Sequence, residues 1–345
     1  MKLTSFFHVL VITILIFYLL VVGKDLLIPL VLAIIIWYLI NILALGFKKI
    51  KLFRWRLPLA ICYVLSVITI SGVLYLLVTL ISNNIADVIV VAPSYQKKLS
   101  ALIAQAYALL GRTEPPTLQQ IFQKIDIGGV LSQFAVVITG FISNTGVILV
   151  YLIFIFLEQK SFKVKLMALI ENPERQKDIF KMIEKVDNDI RIYIGIKTFV
   201  SALTAILGYF VMASQKLDFA EFWAILIFCL NFIPTIGSII ATFLPVLFAL
   251  IQFDRFLPII IIGLGLTFLQ FTIGNILDPK LMGNNLNLSP LVILVSLALW
   301  GALWGIAGML LCVPITVIIF IVLSHFPKTR PLAIFLSQDG KINLS

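Results

Sequence analysis

Long apolar segments constrain this chain more than any other feature of its sequence. Eight of them occur, at about 6–22, 26–46, 58–81, 134–157, 195–214, 221–252, 256–277 and 289–323. A helix of about 20 apolar residues is long enough to cross the ~30 Å hydrocarbon core of a bilayer. Charged residues make up only 12% of the chain, about half the share found in soluble domains. The pattern predicts an all-α, polytopic integral membrane protein with about eight membrane spans and the lipid bilayer as a partner.

Basic residues in one short loop set the expected orientation. The stretch "FKKIKLFRWR" (47–56) carries five Lys or Arg side chains and no acid, and such an excess marks cytoplasmic loops. Both termini are therefore expected in the cytoplasm. The chain then divides into three transmembrane helices (1–81), an extracytoplasmic amphipathic segment (82–133), a transmembrane helix (134–157), a cytoplasmic charged helical segment (158–194), a transmembrane transport region (195–323) and a cytoplasmic tail (324–345).

Several function classes lack their sequence signatures. The net charge of +10 is concentrated beside apolar spans, where it interacts with the inner leaflet, and no nucleic-acid recognition module accompanies it. The three cysteines and two histidines have no metal-ligand spacing. No phosphate-binding loop or catalytic motif is present. We therefore expect no enzyme, no cofactor, no metal site and no nucleic-acid partner.

Two spans in the second half are too long for a single simple crossing. Residues 289–323 would form a helix of about 52 Å, and residues 221–252 show a similar excess. Overlong spans interrupted by Gly and Pro are typical of the discontinuous helices of transporters. The pattern predicts broken or re-entrant helices, with single tilted and kinked spans as the alternative. The expected structural breaks are Pro245, Pro279, Gly283, Gly305, Gly308 and Pro314.

The stretch "NFIPTIGS" (231–238) places polar and helix-breaking residues inside an apolar run. A break within the bilayer frees backbone groups that protein, water or ligand must satisfy. The break therefore predicts a protein-lined cavity in which a polar solute or ion binds. The candidate pathway residues in this stretch are Asn231, Pro234, Thr235, Gly237 and Ser238.

A second polar group follows in the stretch "LQFTIGNILDPK" (269–280) and adds Gln270, Asn275 and Asp278 to the candidates. Asn275 and Asp278 are three positions apart and would share a helix face. Pro279 is expected to end the helix and expose carbonyl groups near Asp278. Asp278 is thus a candidate cation or proton site. In the alternative interpretation it pairs with Lys280 or lies in headgroup water.

The motifs "NFIPTIGSIIATFLPVLFAL" and "NILDPKLMGNNLNLSPLVILVSLALWGALWGIAGMLLCVPI" resemble the autoinducer-2 exporter (AI-2E) family of bacterial membrane proteins. The resemblance implies a location in the bacterial inner membrane, export of a small polar solute such as autoinducer-2, and homo-oligomeric assembly, with a pentamer as one form. Some members of the family are associated with sodium–proton exchange. Two departures from the family pattern matter. Thr235 and Ser238 stand where bulkier residues or proline are common, and Asp278 stands where glutamate is frequent.

Three functions follow as hypotheses. The leading one is a membrane transporter that exports a small polar organic solute, with the autoinducer-2 signal of quorum sensing or a related metabolite as its substrate. The first alternative is a sodium(lithium)/proton antiporter, which would bind H⁺ or Na⁺ at Asp278. The second alternative is a membrane scaffold that transports nothing and in which the helix breaks are structural.

Overall fold

The computed structural model describes residues 3–49, 57–80, 98, 143–170, 172–283 and 287–340. The segment predicted to be extracytoplasmic lies outside the described residues, except for Lys98. Within the described ranges the regular elements are helices, and the one β-type contact is an isolated bridge between Leu288 and Ser337. The all-α prediction is confirmed.

The described residues contain ten helices. They are α1 (Leu3–Val22), α2 (Lys24–Lys49), α3 (Leu59–Leu80), α4 (Thr145–Ala168), α5 (Pro173–Ser214), α6 (Ala220–Leu230), α7 (Ile236–Gln252), α8 (Phe256–Met282), α9 (Pro290–His325) and α10 (Arg330–Leu336). Five of them, α2, α3, α5, α8 and α9, are long and apolar enough to cross a membrane. The chain is therefore a polytopic membrane protein. Helix α5 begins at Pro173, the position where proline fits the first helical turn.

The helices belong to two compact units. The first unit contains α1, α2, the start of α3, α4, the part of α5 up to Ile194, α9 and α10. The second contains the rest of α3, the part of α5 from Gly195 onward, α6, α7 and α8.

In the first unit, polar side chains join the apolar helices α2, α3 and α4. Trp37 Nε1 of α2 donates a 3.1 Å hydrogen bond to Gln159 Oε1 of α4. The Tyr63 hydroxyl of α3 donates to Asn41 Oδ1 of α2 at 2.8 Å. Such bonds between helices help to hold membrane bundles together, because lipid offers a polar group no partner.

Within the first unit, the segment that contains α10 packs against α9. The backbone N–H of Ser289, just before α9, donates to the carbonyl of Leu336 at 3.0 Å. Gln338 N donates in turn to the carbonyl of Asn287 at 3.2 Å. Residues 336–338 are therefore joined to the start of α9 through backbone hydrogen bonds.

In the second unit, small residues let the helices approach closely. A Cβ added at Gly208 of α5 would lie 3.2 Å from the side chain of Ile227 and 3.4 Å from that of Leu266. A Cβ added at Gly265 of α8 would lie 2.8 Å from the side chain of Val211 of α5. Glycine at such contacts is typical of membrane helix packing. Helix α5 therefore contacts both α6 and α8.

Helices α6 and α7 form a helical hairpin. The ring of Phe248, late in α7, lies 5.9 Å from Phe219 and 5.4 Å from Trp223, which flank the start of α6. The two helices have 11 and 17 residues, or about 17 Å and 26 Å, and each is shorter than a bilayer core. Residues 221–252 thus form a broken helical hairpin, one of the two forms that the sequence left open, rather than a single kinked span.

Helix α9 also reverses direction. Its backbone is helical except at Gly305, where φ is 61° and ψ is −140°. Thr316 Oγ1 donates to Ser296 Oγ at 2.9 Å across 20 positions of sequence, whereas a straight helix would hold these residues about 30 Å apart. The helix therefore folds back at Gly305 into two packed arms. The tip contacts α1, because Trp304 Nε1 donates to the carbonyl of Leu20 at 2.9 Å.

Four of the six expected breaks are wrong, namely the three prolines and Gly308, which lie within helices. Pro245 lies inside α7, Pro314 inside the second arm of α9, and Pro279 in the last helical part of α8. Proline removes one N–H and crowds the preceding turn, but membrane helices accommodate it when neighbouring groups satisfy the freed carbonyl. The chain reverses instead where φ is positive, at Thr235 and Gly305.

The two glycines Gly283 and Gly308 have different roles. Gly283 follows α8 with φ of 56°, which fits the predicted turn and the conformational freedom of glycine. Gly308 is helical, and a methyl group on it would overlap the carbonyl oxygen of Trp300. A methyl group on Gly237 would likewise overlap the carbonyl oxygen of Leu230. Each glycine lets the two arms of its hairpin meet at the tip.

Candidate functional site: a polar stripe on α5

A largely buried ion pair joins α5 to α8 in the second unit. Lys197 Nζ donates to Asp278 Oδ2 at 2.9 Å, and the two side chains are 11% and 16% exposed. Among the described residues, the ion-pair partner of Asp278 is therefore Lys197 and not Lys280. Ionisable residues within apolar helices are costly and usually pair with one another at functional positions. The sequence named Asp278 as a candidate, and the structure supplies its counter-charge.

A π-helical segment positions the carboxylate. Residues Ile273–Leu277 form this segment, and the N–H of Asp278 bonds to the carbonyl of Ile273, five residues earlier. Pro279 has no N–H to offer to the carbonyl one turn before it, so the wider turn lets the helix continue to Met282. The expectation that Pro279 ends the helix is thus wrong. Such π-segments occur frequently at functional sites.

The π-segment also brings Gln270 onto the face that carries Asp278. These residues are eight positions apart, whereas two α-helical turns take about 7.2 residues. The π-turn takes up one extra residue. Gln270 and Asp278 therefore lie two turns apart on the same face of α8. Buried Ile262, Leu266 and Ile273 continue the same face. The inner face of α8 is therefore apolar at its start and polar towards its end.

A second hydrogen bond lies one helical turn along α5 from the ion pair. Asn231 Nδ2, at the end of α6, donates to Ser201 Oγ at 3.3 Å, and both residues are buried. Lys197 and Ser201 are four positions apart and so share one face of α5. We call Lys197, Ser201, Asn231, Gln270 and Asp278 the polar site. Helix α5 thus connects the two groups of candidates that the sequence located separately.

Hydrogen bonding in and beside the polar site is incomplete. Asp278 Oδ1 and Gln270 Nε2 are buried and have no hydrogen-bond partner among the described residues. Thr198 Oγ1, next to Lys197 in the chain, is also buried and has no hydrogen-bond partner among the described residues. A buried polar group without a partner costs about 1–3 kcal/mol. These atoms comprise an acceptor, a donor and a hydroxyl that can do both, which a polar ligand could satisfy.

The hairpin tip has a strained turn. Ile236 N donates to the carbonyl of Pro234 at 2.6 Å across Thr235, whose φ is 59° and ψ is −61°. This is a γ-turn in its rare positive-φ form, and it is unfavourable for a β-branched residue. Thr235 is exposed, and Ser238 Oγ donates to its carbonyl at 3.3 Å. Pro234, Thr235 and Ser238 thus shape the tip, while Asn231 faces α5.

Asn275 is not part of the polar site. Its Nδ2 donates to the carbonyl of Phe271 in its own helix at 3.2 Å, and the residue is exposed. The expected shared face with Asp278 is wrong because the π-segment changes the rotation between them. Lys197 and Ser201 were missed by the sequence interpretation. Lys197 is the one charged residue in the apolar segment 195–214, and that isolation was the available signal.

Comparison with known proteins agrees with this architecture. Residues 7–328 match the profile of the AI-2E family transporters. The chain belongs to the AI-2E transporter family. An inferred transport protein of Haemophilus influenzae is 32% identical over 290 residues, which cover 82% of this chain and 83% of the relative. The AI-2 transport protein TqsA of Escherichia coli is 28% identical over 326 residues, which cover 92% and 91%.

A further relative, an inferred transport protein of Borreliella burgdorferi, is 38% identical over 200 residues, or 58% of this chain and 55% of the relative. Membership of the AI-2E family makes this chain a multi-pass membrane protein of a transporter family. It does not favour the antiporter or the scaffold. Of the described residues, no group of three or more His, Cys, Asp or Glu side chains could hold a metal ion.

Proposed function

We propose that this AI-2E family member exports a small, uncharged polar organic solute, and that the autoinducer-2 signal or a related metabolite is its substrate. The observation that carries the proposal is the polar site. It places two hydrogen-bonded pairs, Asp278–Lys197 and Asn231–Ser201, one turn apart on α5. The surrounding faces of α5, α6 and α8 are apolar.

The energetics of the polar site favour a binding role over a purely structural one. A buried ion pair contributes little net stability unless its remaining hydrogen bonds are satisfied. Here one carboxylate oxygen and the neighbouring amide nitrogen of Gln270 lack partners in the described chain. A site that holds its charge pair and leaves these atoms open is suited to a ligand that completes the bonding.

The chemistry of the open groups favours hydroxylated solutes. A hydroxyl group donates to a carboxylate oxygen and accepts from an amide N–H, so the hydroxyl groups of a solute match the chemistry of both Asp278 Oδ1 and Gln270 Nε2. The pair Lys197–Asp278 has no net charge, so an uncharged solute keeps the site neutral. The name of TqsA, an AI-2 transport protein, supports the choice of the first substrate to test.

The test compares cells that produce the protein with cells that lack it. With autoinducer-2 made inside the cells, we expect the producing cells to retain less of it and to release more into the medium. Proteoliposomes loaded with the same solute should lose it faster than empty-membrane controls. Equal retention and equal flux would contradict the proposal. A sodium- or lithium-dependent pH change without solute flux would indicate the antiporter instead.

A matched pair of variants connects the flux to the polar site. Asn231→Leu removes the amide that bonds Ser201 and should strongly reduce flux in protein that is still folded. Thr242→Val is the control on the same hairpin, because the described hydrogen bond of its hydroxyl stays within α7, to the carbonyl of Ser238 at 3.0 Å. Thr242→Val should transport at the wild-type rate. Equal flux in both variants would separate transport from the polar site.

A further inference from the structure

The ammonium of Lys197 already supplies a positive charge beside the Asp278 carboxylate. It contacts Oδ2 at 2.9 Å and so balances the negative charge that would otherwise attract a metal cation. We propose that Lys197 is a built-in cation of the polar site, which keeps Na⁺ and Li⁺ off Asp278 and so reserves the site for uncharged solutes. The inference deepens the proposed function and rests on it, since it assigns the residue that sets the charge class of the substrate.

The charges of the second unit support this assignment. In the part of α5 from Gly195 onward, and in α7 and α8, the charged residues are Lys197, Asp278 and Lys280. Lys280 is exposed. In α6 the charged residue is Glu221, whose carboxylate accepts a hydrogen bond from the exposed Tyr209 hydroxyl at 3.4 Å. Among the residues that the structure describes, the polar site therefore holds one positive and one negative charge.

A second cation would leave this buried site with a net positive charge. An uncompensated charge in a low-dielectric environment is strongly unfavourable. Inorganic cations are thus excluded as long as the ammonium is in place. An uncharged solute bonds to Asp278 Oδ1 and Gln270 Nε2 and leaves the ion pair intact, because neither atom is used by Lys197.

Removing the ammonium should convert the polar site into a cation site. Lys197→Met keeps an unbranched apolar side chain and leaves the Asp278 carboxylate without its counter-charge. The two carboxylate oxygens of Asp278 are ligands of the type that hard cations prefer. Lys197→Arg keeps the positive charge and serves as the conservative control.

The experiment measures thermal unfolding of the full-length protein in lipid nanodiscs. Media contain NaCl, LiCl or N-methyl-D-glucamine chloride at equal ionic strength. Wild type and Lys197→Arg should unfold at the same temperature in all three media. Lys197→Met should gain on the order of 5 °C in Na⁺ or Li⁺ once the cation exceeds its Kd about 100-fold. The double variant Lys197→Met/Asp278→Asn should lose this gain.

Three outcomes would overturn the assignment. The first is a sodium- or lithium-dependent shift in wild type that Asp278→Asn abolishes. The second is a Lys197→Met protein that responds to neither cation. The third is a Lys197→Met protein that fails to fold even in sodium or lithium medium, because a bound cation should replace the lost ammonium.

The retention assay with autoinducer-2 separates this inference from the proposed function. If the cation responses appear as expected while wild-type cells export no solute, the role of Lys197 stands and the proposed substrate fails. If solute is exported while wild type binds sodium at Asp278, the proposed function stands and the role of Lys197 fails.

Discussion

At the scale of single residues, Lys197 and Asp278 depend on each other because both are buried in apolar helices. Asp278→Asn preserves the size of the side chain but removes the charge that compensates Lys197. We expect a loss of about 3 kcal/mol of unfolding free energy, the lower end for breaking a buried pair, because the amide oxygen can still accept from the ammonium. We also expect strongly reduced solute flux. Thermal unfolding and the retention assay measure the two effects.

The double variant Lys197→Met/Asp278→Asn is the control for this prediction. It removes both charges, so it should recover part of the lost stability while flux stays low. Recovery of stability without flux would show that the charges act in transport rather than in folding. Wild-type flux in Asp278→Asn would contradict a role for the carboxylate.

Some features of the polar site could be predicted from the sequence, and others could not. Asn231, Gln270 and Asp278 are polar groups in apolar segments, and a bilayer penalises such groups, so local pattern was sufficient to name them. The pairings join residues 81 and 30 positions apart, which no local pattern encodes. The π-segment was also beyond sequence, because it depends on how α8 accommodates Pro279 while packing against α5.

At the scale of the elements, each hairpin depends on a glycine at its tip. A methyl group on Gly237 would overlap the carbonyl oxygen of Leu230 and contact Ile233 at 3.0 Å. Because backbone has to move to admit it, we expect Gly237→Ala to destabilise the protein by about 1–3 kcal/mol and to impair transport. Thermal unfolding in nanodiscs measures the first effect.

Gly46→Ala provides the matched control for the hairpin glycine. Gly46 lies in α2 with no atom within 4 Å of the added methyl group. Alanine favours a helix over glycine by up to about 1 kcal/mol, so this variant should be neutral or slightly stabilised. Equal stability of the two variants would contradict close packing at the tip of the α6–α7 hairpin.

The reversal of α9 is testable by cross-linking. Ser296 and Thr316 are in hydrogen-bond contact, so Ser296→Cys/Thr316→Cys should form a disulfide under mild oxidation. The three native cysteines, Cys62, Cys229 and Cys312, are first replaced by alanine. Mass spectrometry of the digested protein should find the linked peptides in high yield.

Ser296→Cys/Ile318→Cys is the control pair for the cross-link. Ile318 is exposed, and Thr316 rather than Ile318 contacts Ser296, so its thiol should remain free. An unlinked Ser296→Cys/Thr316→Cys protein would mean that α9 runs straight, with about 30 Å between the two positions. The hairpin would then be wrong.

At the scale of the whole molecule, hydropathy was sufficient for the fold class, because lipid restricts spanning segments to helices that satisfy their own backbone. It was also sufficient to locate the two re-entrant spans, since 221–252 and 289–323 exceed the thickness of a bilayer. The expectation that each proline breaks its helix was wrong, because Pro245 and Pro314 are tolerated inside packed helices. The reversals depend on positive φ at Thr235 and Gly305, which only the packed hairpins impose.

The expected orientation of the chain rests on its charge distribution and can be measured directly. The basic loop 47–56 is expected in the cytoplasm, and three spans then place residue 98 outside and, after a fourth span, residue 177 inside. Lys98 and Lys177 are both exposed, so Lys98→Cys and Lys177→Cys on the cysteine-free background present accessible thiols. A membrane-impermeant maleimide added to intact cells should label Lys98→Cys and spare Lys177→Cys, and permeabilised cells should show both labelled. Labelling of Lys177→Cys in intact cells would invert the topology, because the basic loop 47–56 would then face the outer leaflet, against the bias that orients membrane proteins during insertion.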